Sequence, residues 1–162
     1  MREIFTWLRN SEGQSIVEFA LILPFLLVLV GGVVDLGLAL FAGHISQNAA
    51  REGARLGATI GPPGPTAASG TFPACQTAGP PVIQAACSRI PNIGLFNEYT
   101  VTSSAVTGAV PNQGVTVTIS GTYDCFILDL IAAPLPLLNY SFPDPLPISR
   151  SATLRWEWQP LP

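Results

Sequence analysis

The chain has 162 residues, of which 10% are charged and 48% are hydrophobic. Soluble globular proteins carry about 25% charged residues, so this composition is typical of a membrane-tethered or exported protein rather than of a free cytosolic enzyme. The seven basic residues are all arginine, there is one histidine, and the net charge is −3. These numbers argue against lysine-based, Ser-His and multi-histidine metal chemistry, and they provide no basic field for binding nucleic acid.

The first predicted element is a membrane-spanning helix. The stretch from Phe19 to Gly43 is apolar apart from one acid, Asp35. As a helix that rises ~1.5 Å per residue, it is long enough to cross a hydrocarbon core of ~30 Å. It is too long for the ~7–15-residue apolar region of a secretory signal, and too little protein follows to bury it as a core helix. Asp35 has two open interpretations. It pairs with a neighbouring helix or with His44, or its side chain extends towards water.

The flanks of this helix bear on its orientation. Two arginines precede the span and two follow it, so the positive-inside rule does not decide the topology. All three cysteines and fifteen of the sixteen prolines lie after residue 60. This composition favours a cytoplasmic N-terminus and an extracytoplasmic C-terminal region.

The helical pattern continues beyond the span as an amphipathic segment. Apolar residues recur at spacings of three, four or seven, at Phe41, Ile45, Ala49, Leu56 and Ile60. A second row contains small residues, namely Ala50, Gly53, Ala54 and Gly57. Glycine inside a helix costs ~1 kcal/mol relative to alanine, so this row predicts close packing against another backbone, with a weak or bent helix as the alternative. The prolines after Gly61 end the helix, which predicts one helix over residues 14–60.

The region after residue 60 is predicted to be rich in β-strands. Residues 114–120 alternate valine or isoleucine with threonine or serine. Residues 151–158 likewise alternate alanine, leucine or tryptophan with polar residues, and residues 98–104 form a weaker third strand. One-sided apolar faces predict an antiparallel sheet that is covered on one side, with the amphipathic half of the helix as the cover. Residues 61–97 and 126–147 are predicted to be proline-rich loops. The predicted fold class is therefore α+β, with a long N-terminal helix packed on a small antiparallel sheet.

The three cysteines predict one disulfide. Cys75 and Cys87 share a loop predicted to lie outside the cytoplasm, where oxidation is possible, so we expect them to pair. A Cys87–Cys125 bridge and three reduced cysteines remain as alternatives, and with one bridge the third cysteine is left over or pairs between chains. No phosphate-binding loop, histidine pair or facing carboxylates occur in the sequence. We therefore predict no catalytic residue, no metal site and no cofactor.

The junction at residues 10–19 carries the most specific pattern in the chain. A polar leader ends in Gly13, Gln14 follows, and Glu18 stands five residues after the glycine with Phe19 next to it. An acid at the edge of an apolar helix is a functional candidate, because an unpaired carboxylate is costly there. This junction resembles the processing site of type IV prepilins. Residues 13–58 further resemble the N-terminal domain of TadE-like proteins of tight-adherence pili.

Several landmarks carry this resemblance, and two features depart from it. The landmarks are Glu18-Phe19-Ala20, Leu23-Pro24, Asp35, and the run from Asn48 to Arg55. The carboxyl end is also similar, with a strand, a proline-rich apolar loop and a final arginine-containing strand. Phe19 replaces the commoner tyrosine of major tight-adherence pilins, and the chain is longer than such pilins usually are. Both departures favour a pseudopilin or minor component.

The resemblance implies how the chain is processed and used. Residues 1–13 are a leader that a prepilin peptidase removes, residues 14–60 form the helix, and residues 61–162 form the extracytoplasmic domain. The new amine of Gln14 pairs with Glu18 of a neighbouring subunit, with Phe19 beside it. The implied role is a structural subunit or assembly component of a tight-adherence, type IV-like pilus, and not an enzyme. Its implied partners are other copies or other pilins, membrane lipid, the peptidase and the assembly machinery, first in the membrane and then in the surface pilus.

A second function remains open. The chain could be a membrane-anchored module whose β domain binds a ligand outside the cell without entering a filament. Processing after Gly13 separates the two hypotheses, because retention of residues 1–13 favours the plain anchor.

Overall fold

The computed structural model describes residues 11–60, 67–94, 98–106, 113–125, 127 and 145–156. Its longest element is helix α1, Ser11–Thr59, which runs without interruption through Pro24. Proline removes one backbone hydrogen bond from a helix, and membrane helices tolerate this loss. The helix begins at Ser11 rather than at Gln14, so the predicted processing site lies inside its first turn.

The chain divides into two compact units, which we describe separately: residues 1–37 with 125–141, and residues 38–124 with 142–162. In the first unit the apolar surface of α1 is largely exposed. Asp35 is nevertheless buried, at 2% exposure, and its Oδ1 accepts a 3.2 Å hydrogen bond from the backbone N–H of Ile127. Asp35 is therefore held by its own chain and does not extend towards water.

The second unit contains one four-stranded sheet in the order β1-β2-β3-β4. The strands are β1 (Ala68–Thr71), β2 (Thr100–Val106), β3 (Gly114–Tyr123) and β4 (Leu146–Arg155). Every neighbouring pair is antiparallel; Val101 lies opposite Ile119, and Val117 lies opposite Ala152. The predicted α+β class, with a long helix on an antiparallel sheet, is confirmed.

Alternation along the strands gives the sheet two different faces. Val101, Val115, Val117 and Ile119 are fully buried on one face. Threonine and serine occupy the other face, where the hydroxyl oxygens of Thr116 and Thr153 lie 2.7 Å apart in a cross-strand hydrogen bond. The prediction of a sheet covered on one side is therefore confirmed for these strands.

The prediction that residues 61–97 form a loop is wrong for much of that segment. It contains β1, a short 3-10 helix at Ala74–Gln76, and helix α2 at Pro81–Cys87. Proline at the first position of α2 suits a helix start, because its missing N–H would have no helical partner there. The two helices pack on Gly70 of β1, where an added Cβ would lie 2.8 Å from both Cys75 Cβ and Ile83 Cγ2.

The last strand starts earlier than its sequence pattern indicates. The prediction was 151–158, whereas β4 begins at Leu146 and includes Pro147, which was assigned to a loop. β4 is an edge strand, and an edge strand accepts proline because one side of it makes no ladder hydrogen bonds. Residue 126, residues 128–144 of the predicted second loop, and Trp158 lie outside the described residues.

Candidate subunit-docking helix

The predicted processing site lies on an open part of α1. Gly13 is exposed, and a Cβ atom added to it would meet no other atom within 4 Å. Packing within the described chain therefore does not require glycine at this position. Any requirement for glycine at residue 13 comes from an external partner.

The predicted docking residues lie on the surface of the same helix. Gln14 and Glu18 are one turn apart and both exposed, and Gln14 Nε2 donates a 2.9 Å hydrogen bond to Glu18 Oε1. Residues four apart share one face of a helix. Phe19, the next residue, is 62% exposed. The Glu18 carboxylate thus has a local partner in the uncleaved chain, and an exposed aromatic ring beside it.

Exposed apolar side chains continue along α1 from Ile16 to Phe41. Leu21 and Phe25 are 77% and 73% exposed. Covering such surface is favourable by roughly 25 cal/mol per Å², so a long uncovered apolar face marks a contact with lipid or other helices. Among the residues that the structure describes, α1 is also the one helix that is long and apolar enough to cross a membrane.

The small residues in the second half of α1 pack against the same chain. Ala50 and Ala54 are fully buried. A Cβ on Gly53 would lie 2.9 Å from Ala86 Cβ in α2, and one on Gly57 would lie 2.7 Å from Val115 Cγ1 in β3. The sequence predicted close packing at this row, and the structure places the chain's own α2 and β3 there. These positions are covered within the subunit, whereas the first half of α1 presents its apolar surface outwards.

Gly57→Val is expected to lower the free energy of unfolding of the second unit by about 1–3 kcal/mol. Val115 is fully buried and branched at Cβ, so it has little freedom to move away from the added methyl groups. Urea unfolding of the purified chain measures the effect. Gly37→Val is the matched control in the same helix, because a Cβ on Gly37 meets nothing within 4 Å. Equal unfolding midpoints for Gly57→Val and Gly37→Val would contradict the packing argument.

An ion-pair cluster links α1 to the segment after α2. Glu52 Oε1 lies 3.0 Å from Arg55 Nη2 and 3.2 Å from Arg89 Nη2. The hydrogen bonds from Arg55 and then Arg89 lower the pKa of Glu52 from 4.5 to about 2. Arg55 stands three residues after Glu52 on the same helix, whereas Arg89 is 37 residues away and no local pattern identifies it.

The Glu52→Gln variant is expected to be less stable than the wild type at pH 7 and equally stable near pH 2. The folded-state pKa of about 2 lies below the ordinary 4.5, so this stabilisation is present above pH 4.5 and is lost as the pH falls towards 2. Thermal unfolding of both proteins between pH 7 and pH 2 tests this. Glu98→Gln, at an exposed glutamate outside this cluster, is the control. A stability difference that stays constant with pH would contradict the assignment.

The structure contains the Cys75–Cys87 disulfide, which joins the 3-10 helix to the end of α2. Both cysteines are buried, at 2% and 0% exposure, and Cys125 is buried outside this bridge. Gln76 Nε2 donates to the carbonyl oxygens of Cys87 and Ile90, at 3.3 and 2.9 Å. The pairing is the one that the shared loop predicted. It joins two short helices that also pack on Gly70 of β1.

The comparisons with known proteins identify part of the chain. Residues 13–55 match the family model described as TadE-like protein. No curated protein and no solved structure shows a significant match to the chain. In the part that the structure describes, no three histidine, cysteine, aspartate or glutamate side chains come together as a metal site.

Proposed function

We propose, from the TadE-like domain at residues 13–55, that this chain is a structural subunit or an assembly component of a tight-adherence, type IV-like pilus. The TadE-like family is pilin-type and generally non-enzymatic, and it belongs to the context of pilus assembly. That family context is the premise of the proposal. The observation that carries the proposal is the exposed apolar half of α1 within the matched segment. Such a surface is stable in lipid, or in a bundle with the corresponding helices of other subunits.

The two halves of α1 have separate roles in this proposal. The half after Gly43 is covered by the sheet of its own subunit, as the packing of Gly53 and Gly57 supports. The half before Gly43 inserts in the membrane, with the N-terminus in the cytoplasm and the sheet outside. When a filament forms, this first half leaves the lipid and packs against other pilins, and the assembly machinery of the pilus drives the transfer.

Processing after Gly13 precedes assembly. A prepilin peptidase removes residues 1–13 and leaves a protonated amine on Gln14. That amine then pairs with Glu18 of the adjacent subunit, while Phe19 packs beside the pair. This arrangement neutralises two charges that the apolar surroundings would otherwise disfavour.

Mass analysis of the mature protein from its native host is expected to show a chain that begins at Gln14. The Gly13→Ala variant is expected to retain residues 1–13. Because the space around Gly13 is open, the added methyl group does not disturb the described structure, so accumulation of unprocessed chain would report on the peptidase. Ser15→Ala serves as a nearby control that should still be cleaved. Mature protein that begins at Met1 in the presence of the peptidase would contradict the proposal and favour a membrane-anchored binding module.

A further inference from the structure

A cleft of about 560 Å³ lies between the middle of α1 and strand β4. The lining residues that matter here are Leu40, Gly43, His44, Asn48, Arg51 and Arg150. Among the described residues that line the cleft, none is acidic. The cleft therefore gathers two guanidinium groups, the single imidazole of the chain and the side-chain amides of Gln47 and Asn48 around one hollow.

Arg150 contacts both β4 and α1. Its Nη1 donates to the carbonyl oxygen of Ser149 at 3.1 Å. Gly43 leaves room for the rest of the guanidinium, because a Cβ there would lie 3.3 Å from Nη2 and 3.7 Å from Nε. A side chain at residue 43 would thus compete with Arg150 for this space.

The one acid next to Arg51 in the sequence does not serve this cleft. Glu52 is hydrogen-bonded to Arg55 and Arg89. It lines a neighbouring hollow that shares Arg51 with the cleft, but its carboxylate is occupied by these two arginines. Within the cleft itself, Arg51 and Arg150 supply the charge, and it is positive. Arginine binds phosphate through paired N–H groups, which makes two arginines in one hollow a suitable phosphate site.

The cleft begins where the apolar surface of α1 ends. Leu40 is 57% exposed and lines the cleft, and Phe41 beside it is 45% exposed. The apolar stretch of the sequence ends at Gly43. Free phosphate has no apolar group that could contact an exposed leucine at the edge of the site. A phospholipid carries its phosphate joined to acyl chains, which could make that contact.

We propose that this cleft binds the phosphate of an anionic phospholipid at the membrane surface. The inference rests on the proposed insertion of α1 in the membrane. Arg51 and Arg150 donate to the phosphate oxygens, His44 and Asn48 lie beside the headgroup, and Leu40 contacts the start of an acyl chain. Basic residues next to a membrane span attract anionic headgroups in this way. The bound lipid would fix the depth of the subunit in the bilayer before its extraction.

Native mass spectrometry of the full chain in neutral detergent tests this site, with phosphatidylglycerol as the probe. Phosphatidylcholine, diacylglycerol and free glycerol phosphate are the comparison ligands. Arg51→Gln and Arg150→Gln are each expected to weaken phosphatidylglycerol binding by roughly fivefold. Arg155→Gln is the matched control, because it removes the same charge from β4 at an exposed position on the opposite face of the sheet. It should bind as the wild type does.

Three results would overturn the inference. The first is that the wild type retains phosphatidylglycerol and diacylglycerol equally. The second is that Arg51→Gln and Arg155→Gln lose equal affinity for phosphatidylglycerol. The third is that free glycerol phosphate binds as tightly as the lipid does. The membrane premise is tested separately by fractionation of cells that express the wild-type chain. A chain found only in the soluble fraction contradicts the proposed function, whereas a membrane-bound chain that does not select the anionic lipid contradicts this inference alone.

Discussion

Replacing Cys75 and Cys87 together with alanine is expected to lower the free energy of unfolding of the sheet-containing unit by about 3 kcal/mol. The bridge joins cysteines 12 residues apart, and closing a loop of ~15 residues is worth ~3 kcal/mol in the chain-entropy account of disulfides. Without it, the unfolded segment regains that freedom. The folded segment retains its other contacts, which are the packing of α2 on α1 and β1 and the hydrogen bonds of Gln76.

The expected loss is measured by urea-dependent proteolysis of the purified full chain. Cys125→Ala is the control, because it removes a buried thiol and leaves the bridge intact. Reduction of the wild type should reproduce the effect of the double variant, and reduction of the double variant should change nothing. A double variant with the urea midpoint of the wild type would show that the helices after β1 hold their positions without the bridge.

The same segment shows where sequence reasoning fails in this protein. Residues 68–87 contain three prolines and two glycines, which individually predict turns and loops. Their structure depends on contacts that no local pattern records: the bridge, and the packing of Cys75 and Ile83 on Gly70. The second half of α1 and strand β3 were predictable because their apolar residues recur with the period of the element itself. The first half of α1 was predictable from the length of its apolar run.

The candidate site was also predictable only in part. The small residues at Gly53 and Gly57 indicated that a backbone comes close, but they carry no information on whether it belongs to the same chain. Asp35 was visible as a costly acid, yet its partner, the N–H of Ile127, is a main-chain group with no sequence signature. Periodicity identifies a face of an element, whereas the identity of what covers that face depends on tertiary structure.

Glu18→Ala is expected to reduce the number of surface filaments more than tenfold while leaving the sheet-containing unit folded. In the proposed filament the carboxylate of Glu18 pairs with the amine of Gln14 in the next subunit, inside apolar surroundings. Alanine would leave that amine buried without a counter-charge, which costs several kcal/mol. Since 1.4 kcal/mol is a tenfold change in an association constant, even part of this penalty at each contact suppresses assembly. The apolar surface of α1 is unchanged, so insertion in the membrane should persist.

Gln14→Ala separates this role from a local one. In the uncleaved chain Glu18 accepts a hydrogen bond from the side chain of Gln14, so Glu18 could serve only to stabilise the first turns of α1. Gln14→Ala removes that side-chain amide but keeps the main-chain amine that processing creates. If Glu18 acts in docking, Gln14→Ala should retain filaments and Glu18→Ala should lose them. If Glu18 acts only on its own helix, the two variants should behave alike.

The experiment compares both variants with the wild type in a piliated host. Filaments are counted by electron microscopy, and membrane-fraction protein is measured by blot. The mature N-terminus is checked by mass analysis, so that a processing defect is not mistaken for a docking defect. Glu18→Asp adds a graded case, because it keeps the charge but shortens its reach by one methylene and should assemble poorly rather than not at all. Wild-type filament numbers in Glu18→Ala, with normal processing and protein levels, would remove Glu18 from the docking mechanism and leave the apolar surface of α1 as the source of the subunit contact.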